Sequence, residues 1–107
     1  MSDGKLEEID VDGLERALAS GAVLIDVRET EEWTEARVPG AVSIPLGTVP
    51  DRLADFEARP TYVICLSGGR SMRACEYLSA RGAHVVNVTG GTRAWLESGR
   101  GFESGTA

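Results

Sequence analysis

Residues 61–78, TYVICLSGGRSMRACEYL, hold the clearest structural signal in the chain. Tyr62 to Cys65 is a short, nearly continuous apolar run, the pattern of a strand covered on both faces. Ser67, Gly68 and Gly69 then break the run. From Ser67 or Gly68 to Arg81 the spacing predicts a helix with Ala74, Cys75 and Leu78 inward, and Gly82 supplies the stop. A strand, a glycine-containing loop and a helix make half of a crossover unit in a parallel sheet.

On either side the same alternation continues. Val23 to Asp26, Val42 to Ile44 and His84 to Val88 read as further strands, with Lys5 to Ile9 a weaker fifth at an edge. Asp10 suits the cap of a helix through Ala19, with Leu14 and Leu18 on one face and Gly21 beyond its end. Thr30 is expected to cap a short turn ending near Trp33. Thr48, before Val49 and Pro50, is expected to start a helix through Ala58, with Leu53 and Phe56 on one face. Gly91 opens a last helix through Glu97, closed by Gly99. The predicted fold class is α/β: a mostly parallel five-stranded sheet flanked by helices on both faces. Residues 1–107 make one domain with its core at about 10–99, and 100–107 read as a frayed tail, with Phe102 the residue able to dock.

The 107 residues are 42% hydrophobic and 26% charged, ordinary for a globular domain. No stretch approaches the roughly 18 apolar residues of a membrane span. MSDGKLEEID is polar and acidic where a secretory leader is basic and then apolar, so a cytoplasmic location is expected. A net charge of −6 makes nucleic acid a poor partner. The charge is uneven: positions 1–35 carry eleven acidic and three basic residues, positions 36–107 six and eight. Either a solvated acidic face or a local anion site within an acidic protein fits that pattern.

Chemistry is concentrated at Cys65. Sites in parallel sheets lie beyond the C-terminal ends of strands, where the loop N–H groups and the positive end of the next helix would face its sulfur. Gly68 and Gly69 permit close approach, and Arg70 adds a fixed cation. A cysteine ending a strand is by itself commonly a core residue. With CLSGGRS around it, the reading becomes a nucleophile that acts on, or carries, an anionic group, its pKa lowered. Elsewhere the signals are weak. His84 is expected to be a partly exposed turn residue and Cys75 a core residue, with a resolving thiol the alternative. One histidine and two cysteines ten residues apart make no metal site, so no metal or cofactor is expected. Glu29, Glu31, Glu32 and Glu35 read as a solvated rim, Trp33 and Trp95 as core aromatics, and Gly90-Gly91 lacks the pattern of a nucleotide loop.

Three motifs in order resemble the single-domain rhodanese family of sulfurtransferases: LIDVRETEEW with ARVPGAVSIP, then CLSGGRS, then VTGGTRAWLESG. The resemblance spans about Asp10 to Gly99 and implies a rhodanese-like domain with Cys65 as persulfide carrier. It further implies that backbone N–H groups of Leu66, Ser67, Gly68, Gly69 and Ser71 surround the persulfide. Arg70 would orient the anionic donor, and Ser67 could add its hydroxyl. Asp26 and Arg28 match the family's DVR motif and imply a structural ion pair, and Gly90, Gly91 and Trp95 imply turn and packing roles. Where the family usually has Gly-His-Ile, this chain has Ala36, Arg37 and Val38; Arg37 would be solvated or alter donor preference. The six residues from Cys65 to Arg70 imply a cradle for one sulfur atom, where the related phosphatases have seven. The function implied is transfer of sulfane sulfur from thiosulfate or a persulfide, a small anionic donor, to a thiol or cyanide. The alternatives are a persulfide carrier serving a protein donor or acceptor and, less favoured by the loop, a cysteine phosphatase or arsenate reductase.

Overall fold

The computed structural model describes residues 6–106. Five strands, β1 (Glu7–Ile9), β2 (Val23–Asp26), β3 (Val42–Ser43), β4 (Thr61–Ile64) and β5 (Val85–Val88), form one sheet in the order β1-β5-β4-β2-β3. Every pairing is parallel, with Ile25 beside Val63 and Tyr62 beside Val86. The short strand β1 is indeed at an edge; Lys5, expected within it, lies outside the described residues. Four α-helices, α1 (Val11–Ala19), α2 (Thr30–Glu35), α3 (Gly69–Ser79) and α4 (Gly91–Glu97), connect or follow the strands.

Because strand side chains alternate, each central strand feeds two cores. Ile25, Val63 and Val85 pack with Ala74, Cys75 and Leu78 of α3 and with Phe56. Leu24, Ile64 and Val88 pack on the opposite face with Leu14 of α1 and Trp95 of α4. Asp10 caps α1 as expected, its carboxylate accepting the Gly13 N–H at 2.9 Å.

Local corrections follow from hydrogen bonding. Helix α2 is capped by Glu29, with Thr30 its first residue, and the Glu29 N–H donates to Glu32 at 3.0 Å. In place of one helix from Thr48 to Ala58 there are two 3-10 turns, Leu46–Asp51 and Leu53–Phe56. Pro50 has no N–H to continue a ladder, and the Thr48 N–H and hydroxyl both turn back to the Pro45 carbonyl at 2.8 Å. Phe56 is buried there while Leu53 is 41% exposed, so they do not share a core face. Helix α3 starts at Gly69 and ends at Ser79, inside the expected bounds.

The tail is strapped down as far as Gly105. Trp95 Nε1 donates to the Gly101 carbonyl at 2.8 Å, Arg37 and Glu103 exchange two backbone hydrogen bonds, and the Gly105 N–H reaches Thr34. The cause is Arg37. Expected in solvent or at a pocket, it is 3% exposed, stacks 3.7 Å over Trp33 and donates to the Gly105 carbonyl at 2.7 Å. Phe102 remains 56% exposed and does not dock. The uneven charge is partly matched within the fold: Glu32 meets Arg70, and Asp12 and Glu15 meet Arg100. Among the described residues, no helix is long and apolar enough to cross a membrane.

Gly91 fixes how α4 approaches the sheet. Its φ is +61°, and a Cβ there would lie 2.5 Å from the Leu66 oxygen and 2.6 Å from the Cys65 oxygen, both rigid backbone. Gly91→Ala is therefore expected to cost about 3 kcal/mol, read as a lower urea midpoint by far-UV circular dichroism. Gly69→Ala, where a Cβ meets nothing within 4 Å, should change stability by less than about 0.5 kcal/mol.

Candidate active site

Strand β4 ends at Ile64, which places Cys65 just beyond the C-terminal edge of the sheet. Its residue is 1% exposed. The Gly68 N–H donates to Sγ at 3.1 Å and the Ser71 hydroxyl lies 3.3 Å from it. Gly68 can turn its N–H back on the sulfur because its φ is +111°, a conformation that favours glycine. Burial pushes the Cys65 thiol up, but hydrogen bonds from the Ser71 hydroxyl and the Ser71, Gly68 and Ser67 N–H groups outweigh it and hold the pKa below its ordinary value. The arrangement favours a thiolate.

The loop residues divide by role. Ser67, Gly68 and Ser71 serve the sulfur through their N–H groups. The contributing hydroxyl is that of buried Ser71, whereas Ser67 is exposed. Gly69 opens α3 with open space around it, and a Cβ on Gly68 would make only ordinary contacts at 3.7 Å, so neither glycine is needed for close approach; Gly68 is needed for its left-handed φ. Leu66 turns its carbonyl to the Arg93 N–H at 2.9 Å, and the Cys65 carbonyl accepts from Thr92 at 2.9 Å.

Arg70 stands at the rim with both terminal nitrogens on Glu32, at 2.7 and 2.9 Å. That bidentate contact holds the Glu32 carboxyl down at about 2, against burial and with help from the Glu29 N–H. Glu32 is thus a partner of the site and no longer one of four equivalent rim acids. Asp26 and Arg28 are both buried and form an ion pair at 2.7 Å. Arg28 also donates to the Ala36 carbonyl at 2.8 Å, tying the end of β2 to the segment after α2. Cys75 is fully buried on the inward face of α3, where burial pushes its thiol to about 12. His84 is partly exposed and meets Glu7 at 2.6 Å.

Two residues near the site escape the sequence reading. Glu32 carries no local signal of its pairing with Arg70; its place three residues after Glu29 announces only a capping box. Asn87 carries a plainer one: a single amide in the buried run VVNV needs partners, and Val85 and Asn87 share the face that meets α3.

The rhodanese-like domain family matches residues 10–98. The chain belongs to that family. It is 34% identical over 98 residues to a sulfurtransferase of Allochromatium vinosum, covering 88% of this chain and 92% of the relative. A thiosulfate sulfurtransferase of Pseudomonas entomophila is 36% identical over 80 residues, 72% of each chain. Among solved structures, a rhodanese-like domain protein from Staphylococcus aureus superposes with a TM-score of 0.83 at 36% identity, over 94% of this chain and all of the other. This rhodanese-like domain thus has the expected fold, with every strand pair parallel.

The Glu32–Arg70 contact has a pH signature. The Glu32 pKa falls from an ordinary 4.5 to about 2, so the stability it contributes is fully present above the ordinary value and is lost as the pH falls toward about 2. At neutral pH the wild type should unfold at a higher urea concentration than Glu32→Gln. The gap should close as the pH is lowered through that window.

Proposed function

We propose that this rhodanese-like domain is a sulfurtransferase that loads sulfane sulfur onto Cys65 and passes it to a thiophilic acceptor. The observation that carries this reading is the closure of the six-residue loop on one sulfur atom, with the Gly68 N–H at 3.1 Å and the Ser71 hydroxyl at 3.3 Å. The Gly68 N–H, fixed by the backbone, stabilises negative charge on that sulfur without reorganising, and the Ser71 hydroxyl can rotate to add a second hydrogen bond. The thiosulfate sulfurtransferase among the relatives supports thiosulfate as one donor.

In the loading step the Cys65 thiolate attacks the outer sulfur of thiosulfate. A bond forms between Sγ and that sulfur, the sulfur–sulfur bond of thiosulfate breaks, and sulfite leaves with the electron pair. In the second step an acceptor thiolate or cyanide attacks the outer sulfur of the persulfide and the Cys65 thiolate is restored. No proton has to move, so the site needs no general base. Arg70 is proposed to meet the anionic donor, for which it must exchange part of its contact with Glu32. Leu66, Ser67, Gly68, Gly69 and Ser71 form the wall of the cradle, and Asp26 with Arg28 braces the neighbouring strand end.

The Glu32–Arg70 contact also favours a second reading, a persulfide carrier served by a protein donor or acceptor. A cation already neutralised draws small dianions weakly, which leaves room for donors that bind by other contacts. A cysteine phosphatase or arsenate reductase fits less well, because a loop drawn to hydrogen-bonding distance of one sulfur is small for a tetrahedral oxyanion.

After incubation with thiosulfate the wild type should gain the mass of one sulfur atom and form thiocyanate from cyanide. Cys65→Ser should do neither, and Cys75→Ser should retain most activity. Efficient hydrolysis of aryl phosphates without sulfur uptake would refute the reading. Arg70→Ala should raise the KM for thiosulfate by about tenfold, with a much smaller change for an uncharged donor; equal losses would make Arg70 a loop-shaping residue.

A further inference from the structure

A path of polar groups leads from Cys65 to the sheet edge, and the steps above leave it unused. Asn87 is buried in β5. Its Nδ2 lies 3.0 Å from Glu8 Oε2 on β1 and 3.3 Å from the Gly68 carbonyl. Both are acceptors with no hydrogen to give, so the amide turns its NH2 to them and its oxygen to Ser71. That oxygen accepts a short hydrogen bond from the Ser71 hydroxyl. The same hydroxyl lies 3.3 Å from Cys65 Sγ. It carries one hydrogen, and two acceptors compete for it.

We propose that Asn87 is a positioning residue that governs whether the Ser71 hydroxyl hydrogen serves Cys65. While the sulfur is a thiol, Asn87 keeps that hydrogen and the S–H faces the Ser71 oxygen. When the thiolate forms, the hydrogen must swing to the sulfur and leave a buried amide oxygen unpaired, which costs free energy. Asn87 therefore opposes ionisation of Cys65, and Glu8 strengthens the opposition by polarising the amide. In the loaded persulfide the charge lies on the outer sulfur, the inner sulfur accepts weakly, and the hydrogen returns to Asn87. Asn87 thus favours the loaded form over the bare thiolate. That last step rests on the sulfur-carrier reading of Cys65; the competition for the hydrogen does not. Among the described residues, the other titratable groups around the path are Arg70 with Glu32 from α2 and Asp26 from β2, and Cys75 and Glu76 on α3.

The test is the pH dependence of Cys65 alkylation by iodoacetamide in the full chain, read at Cys65 by peptide mass. Asn87→Leu should lower the midpoint by roughly one pH unit. Glu8→Gln, at an exposed side chain that leaves the core intact, should lower it by less. With Ser71→Ala in the background, the Asn87→Leu shift should vanish and the Glu8→Gln shift should shrink to the loss of one nearby charge. An unchanged or raised midpoint, or shifts of full size without Ser71, would overturn the assignment. Should Asn87→Leu fail to fold, Glu8→Gln with and without Ser71→Ala decides it. The readout is thiol ionisation, so the proposal can fail while sulfur uptake by Cys65 stands, and the reverse.

Discussion

A loop that turns its N–H groups inward must turn carbonyls outward, and buried carbonyls need donors. The first turn of a helix has N–H groups with no partner of their own. Here the two needs meet: Thr92 and Arg93, at the start of α4, donate to the carbonyls of Cys65 and Leu66. The contact works only if the backbone of α4 comes within a distance that no side chain at position 91 would allow. The sulfur cradle and the last helix are therefore one unit, although 25 residues lie between Cys65 and Gly91 in the sequence.

The same coupling explains what was legible in the sequence. Strand β4, helix α3 and the glycine pair at 90–91 declare themselves through local pattern, because hydrophobic period and backbone freedom are properties of a few neighbouring residues. The cap of α1 by Asp10 is likewise local. What stayed hidden depends on residues far apart in the chain. Nothing near Arg37 announces that Gly105 will come to it, and nothing near Glu32 announces Arg70. The two 3-10 turns between 46 and 56 depart from the pattern for a different reason: two prolines and a hydroxyl bonded back to Pro45 override an apolar spacing that alone would suit a helix.

Electrostatics inside this acidic domain is a matter of matched pairs. Arg28 lies against Asp26, Arg70 against Glu32, and Arg100 against Asp12 and Glu15. The exposed Arg100 pairs contribute little to stability in water, and the half-buried Arg70–Glu32 pair a modest amount. Their effect is on geometry: a guanidinium held by both oxygens of a carboxylate has a fixed plane and a fixed distance from the loop it borders. Arg70 is thereby pre-placed near Cys65 at the expense of its free charge. Orientation and attraction are in conflict at that residue, and Glu32 sets the balance between them.

The strap formed by residues 101–105 bears on how the protein can be observed by light. The chain has two tryptophans. The indole N–H of Trp95 is bonded to Gly101, and the ring of Trp33 is covered by Arg37, which itself grips Gly105. Each chromophore touches either the tail or the residue that anchors it. Release of the tail would alter the surroundings of both rings while the sheet stayed whole. Intrinsic fluorescence of this domain is thus an optical gauge of tail attachment as well as of core unfolding.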